Sequence, residues 1–103
     1  MKLKGKVAIV VGAGSIRPGM GNGKATAILF AAEGAKVVAA DLNLEAAQET
    51  VTLIRNNGGD AIAVQVNSTV DADAKRLIAT AVDTYGRIDI LFNNVGIAQG
   101  AVG

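Results

Sequence analysis

Residues 6–41 read KVAIVVGAGSIRPGMGNGKATAILFAAEGAKVVAAD, and how this stretch divides decides the fold. Lys6 to Val11 is a continuous apolar run rich in β-branched residues, the pattern of a parallel strand covered on both faces. Gly12 to Gly23 is a glycine-rich loop. Lys24 to Glu33 reads as a helix with Ala25, Ile28, Leu29 and Ala32 along one face and Gly34 as its stop. Lys36 to Ala40 is a second buried strand, closed by Asp41. Strand, turn, helix and strand in this order make a βαβ unit.

The same alternation continues downstream. Asn43 is an expected N-cap, with Glu45 in the first turn of a helix that places Leu44, Ala47, Val51 and Ile54 at helical spacing. Asn57-Gly58-Gly59 ends it. Ala61 to Val66 is the third strand. Ser68 followed by Asp71 has the spacing of a capping box with Asp in place of Glu. It opens a helix on Leu77, Ile78, Ala81 and Val82, stopped by Gly86. Ile88 to Phe92 is the fourth strand. The order β-α-β-α-β-α-β, with right-handed crossovers, predicts an α/β fold. Its doubly wound parallel sheet is partial, with strand order 3-2-1-4.

Composition narrows the function. Half of the 103 residues are hydrophobic, 18% are charged and the net charge is +1, which provides no field for nucleic acid or an anionic membrane. There is no cysteine, so disulfides, thiol nucleophiles and zinc–thiolate sites are out, and no histidine to shuttle protons. The N-terminal MKLKGKVAIVV begins like a secretory signal, but its apolar stretch is short and runs straight into the glycine turn. No segment reaches the ~18 apolar residues of a membrane span. A soluble cytoplasmic protein with one domain is the expectation.

The loop GAGSIRPGMGNG lies between a buried strand and a helix, where phosphate-binding turns occur. Glycines admit positive φ and let an anion approach the backbone, and the helix start adds unpaired N–H groups and a positive dipole end. Asp41 ends the second strand, where a carboxylate can accept from ribose hydroxyls and repel a 2′-phosphate. NAD is thereby favoured over NADP. The strict G-x-G-x-x-G spacing is absent, because the third glycine position counted from Gly12 is Arg17. A Mg-nucleotide turn at Gly23-Lys24 also fails, with Pro18 in the first glycine position and Ala25 in place of Ser/Thr. A turn that only joins strand to helix is the plain alternative.

On these residues the chain resembles the N-terminal portion of the short-chain dehydrogenase/reductase family, whose glycine motif is T-G-x-x-x-G-x-G. Val11-Gly12 stands for the T-G and Gly21-Asn22-Gly23 for the later G-x-G. Ile16 to Met20 lie between them as extra residues, as in a subset with an extended turn. Asn67-Ser68 matches the pair after the third strand whose first side chain and second N–H contact adenine. Asn93-Asn94-Val95-Gly96 matches N-N-A-G after the fourth strand, where Asn94 lies along the cofactor. The resemblance implies a Rossmann-like fold and a nicotinamide cofactor. It implies cofactor contacts at Gly12, Gly14, Ser15, Gly21, Asn22, Gly23, Asp41, Leu42, Asn67, Ser68, Asn94 and Gly96. Asn93 has a second reading, as a buried amide tying strand ends together.

The remaining charged residues read as ordinary surface. Arg17 is either a contact to the pyrophosphate or a 2′-phosphate or a solvated loop arginine, and Lys24 is a surface lysine. Asp71, Asp73 and Asp83 are helix charges, not a metal site, and Tyr85 is a packing residue. The family's catalytic Ser and Tyr-x-x-x-Lys have no counterpart here, so no catalytic residue is expected in this chain. Residues 1–103 then constitute the first half of a dinucleotide-binding domain without its catalytic half. Such a piece is expected to be catalytically incompetent, with much apolar strand surface uncovered and IDILF on an edge. Self-association or a complementary C-terminal chain is expected to cover it. A non-catalytic dinucleotide module or sensor is the alternative; a Mg-nucleotide hydrolase is the least favoured.

Overall fold

A computed structural model of the chain describes residues 2–14 and 22–93. The element order is β1 (Val7–Val11), α1 (Gly23–Ala32), β2 (Lys36–Asp41), α2 (Leu44–Asn56), β3 (Asp60–Gln65), α3 (Asp71–Tyr85) and β4 (Ile90–Asn93). All pairings are parallel and the strand order is β3-β2-β1-β4, as the alternation predicts. Helices α1 and α2 cover one face. There Ala27, Ala31, Val51 and Ile54 pack on Val10, Val37, Ala39 and Ala61. Helix α3 covers the other, with Leu77 and Ala81 on Ile9, Val11, Val38, Ala40 and Val64. Parallel strands sandwiched in this way are buried on both sides, which explains why β1 and most of β2 are apolar without alternation.

Helix α1 departs from its expected face. Its buried residues are Gly23, Ala27 and Ala31, while Leu29 is 60% exposed and Ala25 and Ala32 also face outward. The sequence GKATAILFAA is apolar almost all round, so periodicity did not mark a face. Small residues at intervals of four did, because they let the helix lie close on the sheet. The helix also starts one residue early, at Gly23. Asn22 is its N-cap and accepts from the Ala25 N–H at 2.9 Å.

The capping box at Ser68 does not form. Val70 holds the N-cap position without a side-chain bond, and Asp73 reaches back to accept from the Asn67 N–H at 2.8 Å. On α3, Leu77 and Ala81 are buried as expected, but Ile78 and Val82 are 41% and 44% exposed.

The two margins of the sheet are built differently. In β3 the Val66 N–H donates to the Asp41 carbonyl, so even-numbered residues bond inward and Ala61, Ala63 and Gln65 present their backbone outward. Arg55 donates from Nε and Nη2 to the Ala61 carbonyl at 3.1 and 2.8 Å. Arg76 donates to the Gln65 carbonyl, and Asp73 occupies the next outward N–H, that of Asn67. At the other margin β4 carries Leu91, 59% exposed, in a groove with Ile78 of α3. Asp89 ties the start of β4 to β1, accepting from the Val7 N–H at 2.9 Å and held in turn by Arg87.

Candidate functional site

The C-terminal ends of β1, β2 and β3 open into a cleft of about 520 Å³. In it lie Gly12, Gly14, Asp41, Leu42, Asn67 and Ser68, six of the residues expected at the cofactor site. Val11, Asn43, Ala46, Val66 and Thr69 complete the lining and were not anticipated. Asn22 and Gly23 belong to the start of α1 and are not part of this lining. Ser15, Gly21, Asn94 and Gly96 lie outside the described residues, as do Arg17 and the Ile16–Met20 insert.

The turn after β1 is pinned on both sides. Gly12 has φ +84°, a conformation that favours glycine, and both its N–H and that of Ala13 donate to the Ala40 carbonyl. The Gly14 N–H donates to Asp41 Oδ2 at 2.9 Å, while Asp41 Oδ1 accepts from the Asn43 N–H at 2.9 Å. The first three amides of the turn are thus engaged with β2 and its end, not turned toward an anion. Asp41 retains acceptor capacity on both oxygens, since a carboxylate offers about four lone-pair sites.

Two glycines owe their identity to close approach. A Cβ at Gly23 would overlap the Gly12 carbonyl oxygen, so glycine there lets the start of α1 rest on the turn. A Cβ at Gly14 would overlap Ala46 of α2. Asn43 caps that helix, its Oδ1 accepting from the Ala46 N–H at 3.2 Å. The cap, the Asp41 carboxylate and Gly14 therefore meet at one end of α2.

The Asn67 side chain is engaged within its own loop. Its Oδ1 accepts from the Thr69 N–H at 3.0 Å and from Thr69 Oγ1 at 2.7 Å, closing an Asx turn. Thr69 thus occupies the amide oxygen with two donors. No feature of residues 67–68 alone signals this; Thr69, two residues on, is what captures the oxygen.

Lys24, expected at the surface, is only 19% exposed in its side chain and is bonded to Glu49 at 2.7 Å. That hydrogen bond, with the charge of Lys24 behind it, lowers the Glu49 carboxyl below its ordinary value. Tyr85, the last residue of α3, packs against the core on that side of the sheet and donates to Asp60 at 3.0 Å, with Lys36 Nζ 5.5 Å from its ring centre. Burial first, then the Asp60 contact, raise its pKa, the opposite of an activated tyrosine. Among the described residues no three His, Cys, Asp or Glu side chains gather as a metal site, and no helix is long and apolar enough to cross a membrane.

The family model described as short chain dehydrogenase matches residues 6–102. The chain belongs to that family. It is 45% identical over 96 residues to a cyclohexanol dehydrogenase of Acinetobacter sp. strain SE19, covering 93% of this chain and 36% of that protein. Among solved structures, a hydroxysteroid dehydrogenase from Escherichia coli superposes with a TM-score of 0.82 at 40% identity, over 89% of this chain and 37% of that one. A 7α-hydroxysteroid dehydrogenase complexed with NADH and 7-oxo glycochenodeoxycholic acid gives 0.80 at 40% identity, over 87% of this chain and 33% of the other. This short-chain dehydrogenase family member spans little more than a third of the length of the relatives it matches.

Proposed function

We propose that residues 1–103 form the N-terminal, NAD(H)-binding half of a Rossmann domain in an oxidoreductase acting on an alcohol or carbonyl substrate. The observation that carries this reading is the gathering of Gly12, Gly14, Asp41, Leu42, Asn67 and Ser68 around one cleft at the strand ends. Ligands of doubly wound sheets bind at that end. The NADH held by a relative with the same fold supports it further.

The residues present suit a dinucleotide in specific ways. Asp41 uses one backbone N–H per oxygen and keeps lone pairs for two ribose hydroxyls. Its charge disfavours a 2′-phosphate, which selects NAD over NADP. Asn67 offers its amide N–H to a ring nitrogen of the adenine, and Leu42 and Ser68 flank the base. With the amides of Gly12, Ala13 and Gly14 engaged, the diphosphate falls to the start of α1, where Gly23 and Lys24 supply the first N–H groups. Ser15, Gly21, Asn22, Asn94 and Gly96 complete the contacts by family resemblance. The bound nicotinamide would supply the hydride. The proton donor for carbonyl reduction is not among these residues, so the chain by itself is catalytically incompetent.

Calorimetric titration of the chain with NADH, NADPH and Mg-ATP tests the reading. NADH is expected to bind about tenfold or more tightly than NADPH, a difference that Asp41→Ser narrows, and Mg-ATP weakest. Equal affinity for all three would overturn it. NADH-dependent reduction of cyclohexanone by the mass-verified chain would overturn the claim of incompetence.

A further inference from the structure

We infer that Thr50 is a positioning residue for the cofactor turn, acting from α2 through the carbonyl of Ala13; this rests on the function proposed above. Thr50 is fully buried, and is the buried polar side chain among the described residues. It sits on the α2 face formed with Ala47, Val51 and Ile54. Its hydroxyl lies 3.0 Å from the Ala13 carbonyl, 37 positions away in sequence, and 3.2 Å from the Ala46 carbonyl one turn earlier in its own helix.

The dependence between the two groups is one-sided. A helical threonine can always return its proton to the carbonyl four residues back, so Thr50 needs nothing from the turn. Among the described residues Ala13 has no such reserve. It is fully buried, lies beyond the end of β1, and its carbonyl takes its hydrogen bond from Thr50. A buried carbonyl left alone is costly, so the backbone holds the pose that reaches the hydroxyl.

That pose also governs the cleft. The peptide whose carbonyl Thr50 holds is the one whose N–H, on Gly14, donates to Asp41. Rotating this peptide would break both bonds at once. Asp41 is connected back to α2 through the Asn43 N–H, and Asn43 caps the helix that carries Thr50. The links form a closed circuit: Thr50, the Ala13–Gly14 peptide, Asp41, Asn43 and α2. One buried hydroxyl thereby sets the orientation of the carboxylate assigned to the ribose.

The test compares the native chain with Thr50→Val, close in shape but without a donor, and Thr50→Ser, which keeps it. Amide hydrogen exchange at Gly14 is read against Val38 in β2 and Ile54 in α2. Thr50→Val should speed exchange at Gly14 about tenfold relative to these references, with native rates in Thr50→Ser. ADP-ribose affinity should fall by a similar factor in the valine variant and recover in the serine one. Unchanged Gly14 exchange, or acceleration equal to that of the reference amides, would overturn the inference. If the native chain fails to bind ADP-ribose, the proposed function fails, while the exchange measurement still decides the role of Thr50. Should Thr50→Val not fold, Thr50→Cys, a weak donor of similar size, takes its place with the same readout.

Discussion

The outer side of β3 and the outer side of β4 are both sheet margins, and among the described residues they carry different side chains. At β3, helices α2 and α3 send Arg55, Arg76 and Asp73 over the edge to bond the outward carbonyls of Ala61 and Gln65 and the outward N–H of Asn67. At β4 the strand shows an exposed Leu91, in a groove with Ile78 of α3, which is also exposed. An edge crossed by charged side chains that bond its backbone resists pairing, and an apolar edge invites it. The contrast teaches which margin of this sheet is the better protected against a neighbour. The relatives, of which this chain spans little more than a third, have the additional length to supply one.

The comparison can be broken most forcefully at β4. We expect the chain to self-associate through this margin. Leu91→Lys, which gives β4 the kind of charge that β3 already has, should return it to monomer mass in light scattering. An unchanged mass would show that association, if any, uses another surface. A smaller effect is expected from the opposite change. Arg55→Ala with Arg76→Ala uncovers the Ala61 and Gln65 carbonyls, and should raise the associated mass about twofold or more at equal concentration. No increase would mean that these arginines do not guard the edge.

The weakest expected effects come from the anchors at the strand starts, and they separate by pH. The Arg87 hydrogen bond, followed by that from the Val7 N–H, holds the Asp89 carboxyl below its ordinary value. A depressed pKa contributes stability that is complete above the ordinary value of 3.8 and is lost as pH falls through the depressed one. Asp89→Asn should therefore flatten the acid limb of the stability curve and leave the alkaline limb alone. Tyr85, which pins α3 to the start of β3 through Asp60, has the opposite sign. Its raised pKa contributes stability that is complete below the ordinary value of 10.0 and is lost as pH rises beyond it. Tyr85→Phe should cost about 1 kcal/mol near neutrality and remove that alkaline loss. Denaturant melts across pH would check both; identical profiles in the two variants would contradict the assignment.

The sheet was legible because its strands are uniform. Val7–Val11 and Val37–Ala40 are runs that only a doubly covered strand accommodates, and the helices between them fix the crossovers. Helix α1 was legible as a helix but not as a face, since Leu29 and Ala27 look equally suited to a core and only Ala27 is buried. Strand ends shifted by one or two residues: β4 starts at Ile90 rather than Ile88, just after Asp89, whose carboxylate accepts from the Val7 N–H. In the cleft, Gly12, Gly14 and Asp41 could be picked out from residue type and position. Thr50 could not, because its partner lies 37 residues away. Asn67 was placed at the cleft, but Thr69 determines which of its atoms remains available.

The guarded edge of β3 has a geometric consequence. If β4 of one copy could pair with β3 of the next, each addition would expose a fresh β3, and the head-to-tail contact would propagate into an open filament. Arg55, Arg76 and Asp73 close that route. The β4-to-β4 contact expected above would instead be isologous about a two-fold axis, would consume both apolar margins in one step and would stop at two.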